Sequence, residues 1–258
     1  MIYVDSHCHL NDEAFINNLD EIVNESKGNG VNAIVVVGYD LLSSIKATEI
    51  ASKYDGVFAT VGFHPENLDG INDGKLDEIK NLARNEKVIG IGEIGLDYHW
   101  YKEDKDHFIQ KQWFIKQLKL ADSLDLPVSI HAREATKDTL DILKEYAPKR
   151  KGVLHCYSGS IETMKELEKL GFYFGFDGPI TYKNSITPKE CVKAVDIDRI
   201  LSETDSPYLT PVPFRGKANS PSYVRYIVCQ MAILKEVPLD FMQEKIKDNF
   251  ERLFHVKL

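Results

Sequence analysis

The chain is poor in cysteine, and its four cysteines (Cys8, Cys156, Cys191 and Cys229) form no Cys-x-x-Cys pair. That excludes a disulfide-stapled scaffold and a Cys-rich zinc site, and leads us to expect reduced thiols in a cytoplasmic protein. No apolar run reaches the ~20 residues that cross a bilayer, so no membrane partner is expected. No basic segment followed by an apolar one stands at the start, so no secretory signal is expected either. Positive charge is in deficit: 32 Lys and Arg against 40 Asp and Glu give a net charge of −8. This disfavours a broad basic face for nucleic acid but leaves room for a local site carrying bound cations. Low-complexity tracts, linkers and long repeats are absent, as is a Gly-rich dinucleotide turn after the first apolar run. With 258 residues, 43% of them apolar, the chain has ample material for one large core.

Short β-branched runs alternate with longer helix-period stretches. The runs predict eight strands, at 2–5, 33–38, 57–62, 88–92, 127–131, 152–155, 172–176 and 200–203. Helices are predicted between them at 12–27, 41–54, 75–84, 105–124, 135–145 and 161–170. A short helix opens at Thr187-Pro188, and two more follow the last strand at 222–235 and 239–254. Strand–helix alternation means a parallel sheet, and eight such units in this length fit a single-domain (β/α)₈ TIM barrel over 1–258.

Barrel chemistry gathers where strands end. Five of the eight histidines fall there: His7 and His9, His64, His131, and His155. In the opening DSHCHL, residues i and i+2 of an extended segment face the same way, so His7 and His9 project together and Cys8 turns away. Cys156 is expected to turn away likewise. Glu93 and Asp205 end the fourth and eighth strands. Four imidazoles and two carboxylates exceed what one tetrahedral zinc requires and fit two divalent ions bridged by Glu93. The nitrogen-rich set suits Zn or Mn, with weakly held Mg also possible. His64 is expected to touch substrate. Asp97 either caps the following loop or orients a ligand histidine. His99, His107 and His255 read as surface or loop residues.

The segments DSHCHL at 5–10, GFHPE at 62–66, GEIGLDY at 92–98, PVSIHAREA at 127–135, HCYSG at 155–159, LSETDSPYL at 201–209, RGKANSPSYV at 215–224 and NFERLF at 249–254 run in order along the whole chain. In these the chain resembles the TatD-like metal-dependent deoxyribonucleases of the amidohydrolase superfamily. The resemblance implies a (β/α)₈ barrel with a one- or two-metal site on His7, His9, Glu93, His131, His155 and Asp205. It also implies 3′→5′ exonuclease activity on DNA. One metal would take His7, His9, Glu93 and Asp205, and the other Glu93, His131 and His155. Water activated by the cations would attack phosphorus, with Asp205 as a candidate general base. Arg133, Arg215 and Lys217 are candidate phosphate contacts, and Tyr157 with Phe63, Tyr98, Trp100, Tyr101, Tyr208 and Phe214 candidate platforms for single-stranded DNA or a 3′ end. A monomer is expected. The same metal chemistry serves a lactone, amide or aminoacyl ester, which is the alternative substrate class. A non-catalytic metal-binding scaffold is the remaining alternative.

Overall fold

The computed structural model describes residues 2–258. Its strands are β1 (Tyr3–Cys8), β2 (Val31–Val37), β3 (Val57–Val61), β4 (Val88–Asp97), β5 (Val128–Arg133), β6 (Gly152–Leu154), β7 (Tyr173–Phe176) and β8 (Ile200–Ser202). The helices are α1 (Leu19–Gly28), α2 (Leu41–Lys53), α3 (Asp73–Leu82), α4 (Asp104–Ser123), α5 (Thr136–Tyr146), α6 (Ile161–Lys169), α7 (Thr187–Ala194), α8 (Val224–Lys235) and α9 (Leu239–Phe254). The strands lie in chain order β1 to β8, and every adjacent pair along that order is parallel. This is the TIM barrel expected, a single domain. No helix among the described residues is long and apolar enough to cross a membrane.

The strands are apolar on both faces because side chains fill the barrel on one side and helices cover the other. β2, VNAIVVV, is buried at every position but Asn32. Helix starts follow local chemistry. Asp40 accepts the Ser43 amide while the Ser43 hydroxyl bonds back to the Asp40 amide, a reciprocal cap for α2. Ser160 caps α6 one way only, its hydroxyl accepting the Thr163 amide.

The barrel closes by different means at one place. Between β8 and β1, side chains replace the strand ladder. Ser6 Oγ donates to the Ser202 carbonyl and Ser202 Oγ to the Val4 carbonyl, at 3.1 and 2.6 Å. Asp5 accepts both the amide and the hydroxyl of Thr204 (2.8 and 2.6 Å). Beyond these, the Asp205 amide donates to the His7 carbonyl and the His9 amide to the Ser206 carbonyl.

Several boundaries differ from expectation: β1 and β5 run on to Cys8 and Arg133, and β6 and β8 stop at Leu154 and Ser202. The first helix begins at Leu19 because residues 12–18 form turns, with Asp12 accepting the Ala14 amide. A 3₁₀ turn, Pro221–Tyr223, precedes α8. The fourth strand does not end at Gly92. It runs on to Asp97 through a break in register between Ile91 and Ile94, where the Glu93 amide bonds instead to the Gly38 carbonyl. Such bulges re-aim side chains, and this one carries Glu93 into the barrel mouth.

Candidate metal centre

β1 delivers His7 and His9. Their rings lie 5.1 Å apart, and their Nε2 atoms stand 3.7 and 3.2 Å from Asp205 Oδ1. Cys8 points the other way, fully buried, with its thiol donating to the Val35 carbonyl. Asp205 reaches His9 from a left-handed turn (φ 53°), a conformation that Asp tolerates better than most residues.

Glu93 is the hub. Its Oε1 lies 2.7 Å from His155 Nε2, 2.9 Å from His131 Nδ1 and 3.4 Å from His64 Nε2. Its Oε2 lies 3.5 Å from His7 Nε2. Two ligand-like triads share no member: His7, His9 and Asp205, and His64, Glu93 and His131. A third, His7, Glu93 and His155, joins them. The six residues singled out in the sequence therefore converge, and His64 joins them at the centre's wall.

Asp97 does both of the things considered for it. Its Oδ2 holds His131 Nε2 at 2.9 Å, leaving Nδ1 aimed at Glu93. Its Oδ1 accepts the amides of His99 and Trp100. Two glutamines one heptad apart on α4 pin the neighbouring strand ends. Gln110 brackets the Asp97 backbone with two hydrogen bonds and Gln117 does the same for Phe63.

The electrostatics are those of a donor set built for cations. Burial alone would push the Glu93 carboxyl up, but the imidazoles of His155, His64 and His131 outweigh it and hold it well below its usual range. Burial opposes ionisation of Asp205 too, and is overcome by the hydrogen bond and charge of His9. Burial drags His7 down to about 4. His131 resists the same burial because Asp97 and Glu93 flank it, and rises to about 9. His7 Nε2, His9 Nδ1 and His155 Nδ1 are buried without a hydrogen-bond partner. Orphaned buried nitrogens of this kind are costly unless something binds them. The residues present fit divalent cations.

Three acids behind the ligands were not singled out from the sequence. Asp5 spans the seam, and burial lifts it to about 7 despite its bonds from Thr204. Glu203 is fully buried, accepts the Cys156 amide and lies 3.8 Å from His155 Nδ1. Burial and the neighbouring Asp177 raise its carboxyl well above the ordinary value. Gly175 makes this possible, since a Cβ there would overlap the Glu203 carboxylate. Asp177 follows β7 and is raised to about 7 by burial and Asp205. Asp177 stands at a strand end, and Glu203 lies two residues before Asp205 in the same strand-end segment; those were the available signals.

Other expectations need correction. Tyr157 is not at the substrate surface: it is 7% exposed, packs edge-on against Phe174 and gives its hydroxyl to the Ser160 carbonyl. Cys156 is not turned away by strand alternation, because β6 ends at Leu154; it sits at φ 45° with its thiol beside Asp177. Phe63 is buried, Tyr98 stacks on His107, and Phe214 stacks on Tyr223. His107 lies within α4, its Nε2 against the Tyr101 carbonyl, rather than in a loop. Trp100 (62%) and Tyr208 (55%) remain exposed. Arg133 is exposed and lies over Trp100, and Arg215 lies over Tyr182. Lys217 is exposed on the loop that follows β8.

Comparison with known proteins agrees with this geometry. The family model described as TatD related DNase matches residues 4–255. The chain is 45% identical to the uncharacterized metal-dependent hydrolase YabD of Bacillus subtilis, over 98% of each. It is 37% identical to the uncharacterized metal-dependent hydrolase YcfH of Escherichia coli K12, over 99% of this chain and 97% of that one. The crystal structure of YJJV, a TatD homolog from Escherichia coli K12, superposes with a TM-score of 0.93 at 28% identity, covering 99% of this chain and 98% of the other. The chain belongs to the TatD related DNase family.

Proposed function

We propose that the chain removes nucleotides from the 3′ end of single-stranded DNA by metal-dependent phosphodiester hydrolysis. Its coarse class is that of its family, a metal-dependent hydrolase. The observation that carries the reading is the buried convergence of four imidazoles and two carboxylates on Glu93 at the barrel mouth. Two divalent cations (Mg, Mn or Zn) suit a donor set of this size and spread. His7, His9 and Asp205 would hold one, and His131 and His155 the other, with Glu93 between them. When bound, such ions supply Lewis acidity to a phosphoryl oxygen and make water a better nucleophile.

The chain's own residues do the rest. Asp205, kept ionised by His9, can accept a proton from the attacking water. Burial lowers His64 below its ordinary value, so it is neutral near pH 7 and able to bond substrate from beside Glu93. Asp97 holds the His131 ring in one orientation. Arg133, Arg215 and Lys217 are exposed cations at the strand-end face, suited to phosphates of the retained strand. The enzyme is read as a cytoplasmic monomer.

The test uses single-stranded DNA labelled at either end, with Mg or Mn, on wild type and Glu93→Ala. Stepwise release of 5′-mononucleotides from the 3′ end, lost in the variant, is expected. A shallow salt slope should accompany it, since few phosphates are engaged. A metal-loaded protein that leaves DNA intact yet opens a lactone or ester would move the substrate to the carbonyl class.

A further inference from the structure

A cavity of about 200 Å³ opens directly onto the metal centre, lined by His9, His64 and Glu93 on its inner side. The remaining lining comes from Asp12, Tyr39, Asn67 and Tyr208, which the reading above does not use. Tyr39 and Tyr208 flank the His9 ring, with centroids 5.8 and 6.2 Å from it. Asp12 is fixed: one oxygen accepts the Ala14 amide and the other the Tyr208 hydroxyl. No lysine or arginine lines this cavity. Lys75 lies in the adjoining groove among Asp40, Glu66 and Asp69. Burial raises the Tyr39 hydroxyl, and Asp40, Asp12 and Glu13 nearby add to it.

The pocket thus has flat aromatic walls, neutral hydrogen-bonding groups and an anionic rim. A polyanionic strand belongs with Arg133, Arg215 and Lys217, none of which reaches it. One flat, uncharged group attached to the scissile phosphate is what it suits. We propose that this pocket seats the single terminal nucleoside at a 3′ end, and that the Asp12 carboxylate turns away any chain carrying a further phosphate there. The inference rests on the phosphodiesterase reading and extends it: Asp12 makes the enzyme selective for a free 3′-hydroxyl over a phosphorylated end. Tyr39 and Tyr208 meet the base, and Asn67 and the Tyr39 hydroxyl bond its polar edge or sugar. Asp12 repels a 3′-phosphate or a continuing strand through like charge, a common device of specificity.

The test compares oligonucleotides ending in a 3′-hydroxyl or a 3′-phosphate, with Mn, on wild type, Asp12→Asn and Tyr39→Leu. Wild type should prefer the 3′-hydroxyl end by about tenfold or more in kcat/KM, the scale of one like-charge contact near a protein surface. Asp12→Asn should shrink that preference to about threefold or less. Tyr39→Leu should raise KM for the hydroxyl end more than it lowers kcat, as loss of stacking does. Fluorescence anisotropy in EDTA gives a readout free of turnover: the preference should persist in wild type and fade in Asp12→Asn. Equal use of both ends by wild type would overturn the proposal, as would an unchanged preference in Asp12→Asn. Stepwise degradation from the 3′ end that treats 3′-hydroxyl and 3′-phosphate alike removes this proposal alone. No turnover or binding of any DNA removes the phosphodiesterase reading, and this proposal with it.

Discussion

His7, His9 and Asp205 meet across the seam between β8 and β1, whereas Glu93, His131 and His155 stand on or just beyond β4, β5 and β6, which are joined by backbone ladders. The two halves offer similar ligands but are supported differently. On the ladder half, main-chain bonds set the strand positions and Asp97 has only to orient one ring. On the seam half, the strands are joined by Ser6, Ser202, Thr204 and Asp5 side chains, and main-chain bonds among the described residues appear only beyond them, from Asp205 to His7 and from His9 to Ser206. Folding and ligand placement are therefore one event at the seam and two separable ones at the ladder.

Removing the seam's main support should have the largest effect. Asp5→Ala strands the Thr204 amide in a fully buried place and leaves the Thr204 hydroxyl with Ser206 alone, and should cost about 3 kcal/mol in urea unfolding. Loss of metal binding should follow the loss of fold. An unchanged midpoint would break the distinction between the halves.

The second prediction concerns pH in the metal-free protein. His7 is lowered to about 4 and His131 raised to about 9, against about 6.5 for both in the unfolded chain. A depressed imidazole contributes stability that is present above the unfolded value and lost as pH falls through the folded one. A raised imidazole contributes stability that is present below the unfolded value and lost as pH rises through the folded one. His7 thus takes stability away from about pH 6.5 down to 4, and His131 from about 6.5 up to 9. Each is worth on the order of 3 kcal/mol. Between about pH 4 and 7 the raised Asp5 and Asp177 carboxyls take stability away as pH rises and so oppose His7. The clean signature is therefore alkaline, a fall in urea midpoint from about pH 6.5 to 9 that Asp97→Asn should flatten.

On the ladder half, that same Asp97→Asn should leave the fold intact and weaken metal affinity by about 10–100-fold, as for other residues that orient a ligand histidine. Titration calorimetry beside thermal melting would show the two separate. The smallest effect is expected at Tyr157→Phe, which removes one buried hydrogen bond and should cost about 1 kcal/mol while leaving turnover unchanged. A large fall in kcat there would return Tyr157 to the substrate surface.

Much of this site is legible in the sequence because a barrel converts strand ends into neighbours. DSHCHL states its own alternation, and His131 and Asp205 needed only the strand-end rule. What escaped depends on contacts no local pattern carries. The β4 bulge was hidden because Gly92 reads as a strand end, yet the chain continues to Asp97. Tyr157 lies in a polar-looking loop but finds Phe174 and Phe176 as neighbours. Glu203 and Asp5 matter through partners 47 and 199 residues away. Tyr39 and Asp177, at the ends of β2 and β7, become significant only when the whole mouth is assembled.

Glu93 touches both halves, so the most direct measurement counts divalent ions by native mass spectrometry and follows nucleotide release in parallel, for wild type and Glu93→Gln. Wild type should bind two ions, and the variant should lose at least one together with about 10³-fold or more of its activity, the scale on which removing a group that stabilises the transition state acts. A variant that keeps two ions and wild-type turnover would contradict a centre organised on Glu93.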